Sequence, residues 1–301
     1  MAITRREFIK SSVGLASAVS LAAVPLYPLV TQAGAKTIKP ILMAATGDSP
    51  ALNARKVIDA LGGIEKYVKP GNTVFLKPNS ITQLGPEFAV NTNPEVVAEV
   101  ARLCQKAGAS KIIAYAHDDP SSWVENGIGK AIESFGGEIV AANTISMYRQ
   151  VNLPLGLVLR ETMMIEEFLT ADVFINLPVA KHHAGAQLTL GIKNYMGINW
   201  DRQIMHRTDL DQTIADLATV RKPDLTVMDA TRMLLNNGPS GPGTVREEKT
   251  IIASEDPVAA DAFTATLFKH EPNEIRHIRH ASEMGLGVMN LKKMKIKKFQ
   301  V

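Results

Sequence analysis

The chain of 301 residues contains one cysteine, Cys104. A lone thiol excludes an internal disulfide, and it equally excludes a Cys-ligated iron–sulfur cluster within this chain. Charge of one sign is also missing. Thirty-three Lys and Arg against thirty Asp and Glu leave a formal net charge of +3, which gives no electrostatic footprint for nucleic acid. The mild apolar run from Ser11 to Ala23 is too short for an ordinary membrane span. There is no Gly-x-Gly-x-x-Gly, no Gly-Lys-Ser/Thr and no Gly-x-Ser-x-Gly, so a dinucleotide fingerprint, a phosphate loop and a hydrolase elbow are all absent. No internal repeat or low-complexity segment is present.

What is there begins with Thr4-Arg5-Arg6-Glu7-Phe8-Ile9-Lys10, the apolar run, and then Ala33-Gly34-Ala35. Basic residues, a short apolar region and a small-residue cleavage site make an export signal. The arginine pair with Phe8 and Lys10 resembles the twin-arginine type. That resemblance implies export of an already folded protein by the twin-arginine translocase to the periplasm, or membrane anchoring if the signal stays uncleaved. Residues 1–35 are therefore set apart from the fold. The remaining 301 − 35 = 266 residues carry a net charge near +1, because Arg5, Arg6 and Lys10 against Glu7 remove two charges. This length supports a substantial core, and residues 36–301 are expected to form a single α/β domain.

Short apolar runs alternate with helical periodicity along that stretch. Strands are expected at 38–43, 73–76, 111–115, 138–140, 172–175, 225–228 and 250–253. Helices are expected at 51–61, 94–107, 123–135, 164–169, 210–220, 257–268 and 273–284. Pro94 and Pro257 suit a first helical turn, and Asp256 suits an N-cap. Cys104 falls on the apolar face of its helix with Val96, Val97, Val100 and Leu103. His277 and His280, between Arg276 and Arg279, read as a solvated basic face. The lysine-rich tail from Lys292 to Lys298 alternates like a protected edge strand. The alternation predicts an α/β fold with a largely parallel sheet flanked by helices.

Ligands of such sheets bind beyond the carboxyl ends of the strands, and four apolar runs end in polar residues. Lys77 and Asn79 follow one, Asp118 another, Asp229 a third. The fourth, Val173-Phe174-Ile175, leads into Lys181, His182, His183, Lys193 and Asn194 amid small apolar residues. If these ends are neighbours, Lys77, Lys181 and Lys193 suit a small anionic ligand. A histidine beside lysines is held neutral, which suits a general base or a metal ligand. His182, His183, His206 and Asp261 are the residues that would serve a divalent metal, although their spacing matches no known ligand signature.

The same residues lie in an ordered set: Lys77-Pro78-Asn79, Asn93-Pro94, Lys181-His182, Thr189-x-Gly191-x-Lys193-Asn194, Met196-Gly197, His206, Asp229, Gly238-Pro239 with Gly241, and Asp256-Pro257 with Asp261. From about Val74 to Phe268 the chain resembles the family called domain of unknown function 362. Some members of that family carry a ferredoxin-like iron–sulfur segment, which implies redox company. This chain departs from them in its single cysteine, so a redox role would need a partner protein.

The expected function is that of an exported enzyme holding a small anionic substrate. Lys77, Lys181 and Lys193 would stabilise negative charge, and His182 would be the acid–base residue with Asp118 or Asp229 orienting it. Asn79 and Asn194 would fix geometry. The alternative is a periplasmic binding protein, or an accessory protein of an exported redox enzyme.

Overall fold

A computed structural model describes residues 39–116 and 120–301. The expected signal, residues 1–35, and Asp118 lie outside the described residues. In chain order the strands are β1 (Ile41–Thr46), β2 (Thr73–Pro78), β3 (Lys111–Ala116), β4 (Glu138–Ala141), β5 (Tyr148–Asn152), β6 (Glu161–Ile165), β7 (Val173–Leu177), β8 (Val179–His183), β9 (Gln187–Thr189), β10 (Leu225–Leu234), β11 (Val245–Ser254) and β12 (Lys295–Gln300).

Alternate residues of the central strands feed two separate apolar layers. Val74 and Leu76 of β2, with Val173, Ile175 and Leu177 of β7, point to one layer, while Phe75 and Phe174 point to the other. Every residue of β7 is buried, as expected for a strand covered on both faces. Helices Pro50–Ala60 and Pro94–Lys106 cover the first face. Helices Leu210–Ala218, Pro257–Leu267 and Arg276–Glu283 cover the second. The fold is thus the α/β arrangement expected, with the main sheet running β12-β1-β11-β10-β7-β2-β3-β4. β11 alone runs antiparallel to both its neighbours, and β5 with β6 forms a small separate sheet.

Three neighbours at the centre carry the polar strand ends: β2, β7 and β10 are adjacent and parallel. Lys77 lies opposite Asn176, and Pro78 opposite Leu177. Pro178 then separates β7 from β8. The chain continues along β10, where Val179 faces Asp229 and Lys181 faces Leu234 after a register shift. On its other side β8 pairs with β9 rather than with β2. A crevice therefore opens between the end of β2 and the β8–β9 hairpin.

Local chemistry explains the helix starts. Asn93 accepts from the amide of Glu95 at 3.0 Å, and Asp256 from that of Ala259 at 2.9 Å. Proline follows each of these caps, at Pro94 and Pro257. Three expectations need correction. The helix read over 123–135 is two helices, Ser121–Glu125 and Ile128–Glu133, separated by Gly127 at φ +83°. The helix read over 164–169 begins as β6, and only Glu166–Thr170 is helical. His277 is not solvated: it is fully buried, with Nδ1 3.3 Å from Asp211 Oδ1. Cys104 is buried among apolar residues, and β12 is one of the two edge strands of the main sheet.

Candidate functional site

The turn that carries Lys193 and Asn194 is fixed from below. Asp261, on helix Pro257–Leu267, accepts from the amides of Gly191 at 2.7 Å and Ile192 at 2.9 Å. A Cβ at position 191 would meet Asp261 Oδ1 at 2.8 Å, so glycine is the residue that fits there. Tyr195 packs edge-to-face on Phe174, with centroids 5.4 Å apart, and its hydroxyl donates to Arg221 O at 2.7 Å. The turn is thereby anchored to the core layer beneath it.

Three asparagines then tie the turn to the strand ends. Asn194 Nδ2 donates to Lys77 O and to Asn176 Oδ1, both at 2.8 Å. Its Oδ1 accepts from Asn79 Nδ2 at 3.0 Å. Asn176 Nδ2 donates to Gly191 O at 2.8 Å. A buried polar network with its members satisfied holds one geometry rigidly.

Within this frame lies a cavity of about 170 Å³, lined in part by Lys77, Asn79, Lys181, Lys193 and Asn194. Lys181 is 1% exposed, Lys77 4% and Lys193 7%. Lys181 Nζ donates to Asn79 Oδ1 at 2.9 Å and Val90 O at 2.6 Å, and Lys77 Nζ donates to Pro78 O at 2.5 Å. Lys193 Nζ has a poorer partner, the Met196 thioether at 3.2 Å. Burial, with Arg202 adding repulsion, brings Lys77 down to about 7. Burial brings Lys193 down to about 8, Asp211 pulling it up and Arg202 down. Lys181 falls well below the ordinary lysine range through burial and then through Lys193 and Lys77. Each shift measures the cost of a desolvated positive charge.

His183 and His206 also line the cavity, their rings 6.4 Å apart and nearly parallel. His183 Nδ1 accepts from the amides of Gly185 and Ala186, both at 3.0 Å. Nδ1 is thus the unprotonated nitrogen, and Nε2 carries the hydrogen. Burial, followed by Lys193, His206, Lys181 and His277, holds this imidazole down to about 3. Near pH 7 it is a neutral hydrogen-bond donor.

The remaining expected residues are placed elsewhere. His182 is not among the residues lining this cavity; its Nδ1 accepts from Gly238 N at 3.1 Å. Adjacent strand residues point to opposite faces, so Lys181 and His183 share a side that His182 does not. Asp229 is buried behind the site, accepting from Asn93 N at 2.7 Å and from Thr231 N and Oγ1. Both Asp261 oxygens are taken by amides, and burial raises its carboxyl to about 7 against those donors. Among the described residues no group of three His, Cys, Asp or Glu is arranged to hold a metal. Lys181, Lys193 and Arg202 line the cavity beside the two histidines.

Tyr115, Trp123 and Arg202 line the same cavity without having been singled out in the sequence, and so does Thr189, which the sequence places in the family motif without a role. Thr189 Oγ1 is buried and has no partner among the described residues. A buried hydroxyl left in this way costs about 1–3 kcal/mol, a cost that a bound polar ligand removes. Its position two residues before Gly191 in the Thr-x-Gly-x-Lys-Asn run is the available sequence signal.

Known proteins place the chain in context. The thylakoid-associated protein sll1697 of Synechocystis sp. is 28% identical over 254 residues, covering 77% of this chain and 74% of that protein. The structure of the lactate racemase apoprotein from Thermoanaerobacterium thermosaccharolyticum superposes with a TM-score of 0.50 at 12% identity. It covers 76% of this chain, which spans 57% of the racemase chain, and at that identity the likeness is one of fold. No helix among the described residues is long and apolar enough to cross a membrane. Residues 74–266, which hold the three lysines, the asparagine network and Asp261, match the family described as Domain of unknown function (DUF362), and the chain belongs to that family.

Proposed function

We propose that the cavity binds a small carboxylate-bearing anion and that the protein is an enzyme acting on it. The observation that carries this is the convergence of Lys77, Lys181 and Lys193, all deeply buried, on one cavity. Burying three amines together disfavours their charged forms, and the cost is relieved either by loss of a proton or by a negative charge that joins them. Lys77 and Lys193 hold the anion, Lys181 fixes Asn79, and the Nε2–H of His183 donates to oxygen where negative charge develops. His183 takes the place expected of His182, and Asp229 and Asp261 support the frame. Asp118, which follows β3 in the sequence, would orient the acid–base histidine or hold a metal. No step is assigned to a metal.

A panel of small carboxylates and phosphate, incubated with the protein and followed by native mass and product analysis, tests this. A bound carboxylate that is converted, with binding lost in Lys77→Met, supports an enzyme. A ligand returned unchanged supports a binding protein. Absence of binding across the panel contradicts the site.

Location and partners are proposed on separate grounds. The Thr4–Lys10 pattern supports export through the twin-arginine translocase to the periplasm. The thylakoid-associated relative supports a place near a membrane. Replacing Arg5 and Arg6 by lysine should retain the protein in the cytoplasm, and unchanged export would remove the proposal. A redox partner protein would be sought by co-purification from the periplasm.

A further inference from the structure

The three lysines differ in what ties them down. Lys181 Nζ reaches two oxygen acceptors and Lys77 Nζ one, whereas Lys193 Nζ meets a thioether at 3.2 Å. Thioether sulfur is a weak acceptor, so Lys193 is the amine least committed to the frame. It sits in a cavity beside other cationic side chains, the setting that turns a lysine into a nucleophile. Thr189 Oγ1, buried without a partner among the described residues, lines the same space.

We propose that Lys193 Nζ condenses with the ketone carbon of a small 2-oxo carboxylate held in this cavity, forming an imine. This rests on the anion site proposed above and names the substrate class for it. Lys77 and the Thr189 hydroxyl bind the carboxylate, and the Nε2–H of His183 points a donor at the ketone oxygen. The Nζ lone pair bonds to carbon as the carbon–oxygen π pair moves to oxygen. Lys77 lends a proton to the oxygen and recovers one from the nitrogen twice: once as the carbinolamine forms, and again as its carbon–oxygen bond breaks and the nitrogen lone pair closes the carbon–nitrogen double bond. Nζ gives up two hydrogens and the ketone its oxygen, which leave together as one water. Nothing is oxidised or reduced. The lowering of Lys193 to about 8 leaves a usable fraction of free amine near neutrality.

The full chain is incubated with pyruvate and sodium cyanoborohydride, and adducts are located by intact mass and peptide mapping. Binding of pyruvate without reductant is measured in parallel by calorimetry. The expected result is one reduced pyruvyl adduct on Lys193, protected by excess propionate and lost in Lys193→Arg, which keeps the positive charge. Pyruvate that binds without labelling Lys193 overturns the imine and leaves the anion site standing. Absence of binding overturns both. Labelling spread over surface lysines and unchanged in Lys193→Arg also overturns the imine.

Discussion

Asp261 Oδ1 lies 2.7 Å from the amide nitrogen of Gly191, joining helix Pro257–Leu267 to the turn that presents Lys193 and Asn194. The second oxygen takes the next amide, that of Ile192, at 2.9 Å. One carboxylate therefore sets the position of the turn that carries Lys193 and Asn194, although it does not line the cavity.

Asp261→Ala leaves two buried amides without acceptors. Each costs about 1–3 kcal/mol, so urea denaturation should show a loss of about 2–6 kcal/mol together with loss of anion binding. Asp261→Asn retains one good acceptor and should lose less. An alanine variant as stable as the parent would show that the turn is held by other contacts.

Gly197 sits against Lys77: a Cβ there would lie 2.9 Å from both Cε and Nζ. In Gly197→Ala the flexible lysine tip swings into the cavity, which should cost under about 1 kcal/mol of stability. It puts the amine where the ligand belongs, so anion affinity should fall while the melting temperature barely moves. Equal affinity in the variant would remove Lys77 from the binding site.

The lysine shifts fix the pH dependence. Anions favour the protonated amines, and Lys77 and Lys193 lie at about 7 and about 8. Affinity should be greatest below pH 7 and weaken as pH rises through these values, with proton uptake on binding near pH 8. Without ligand the sign for stability is the reverse. Both values lie below the ordinary lysine value of 10.5, so the unfolded chain holds more protons in the interval and stability rises with pH across it. Asp261, raised to about 7, acts with the opposite sign between its ordinary carboxylate value and about 7. The rise should therefore be read above pH 7, by urea titration at several pH values. A flat profile there would place the lysines in water.

Asp211 pulls Lys193 upward, and it is held by His277 and Arg276. Asp211→Asn should therefore move the pH midpoint of anion binding downward. A midpoint that stays put would mean that the two charges do not communicate.

Much of this was legible in the letters. Val74-Phe75-Leu76 and Val173-Phe174-Ile175 read as strands because a buried parallel strand is apolar on both faces. Their polar ends lie together at one end of the sheet. Which strands are neighbours was not legible, because pairing depends on crossovers that leave no local trace. With 179–183 absent from the expected strands, the decisive detail was also concealed: in a strand, Lys181 and His183 face together and His182 faces away. His277 was misplaced for a related reason. Its flanking arginines suggested solvent, while the buried Ile278 and Ala281 on the same helix turn it inward.

The measurement that tests the central claim most directly is a calorimetric titration of the protein at pH 7 with a small carboxylate, beside Lys77→Met and Lys193→Met. The account predicts saturable binding with proton uptake in the parent, weakened at least about tenfold in each variant, the loss of one charge-assisted contact. Equal binding by all three proteins, or none by the parent, would contradict it.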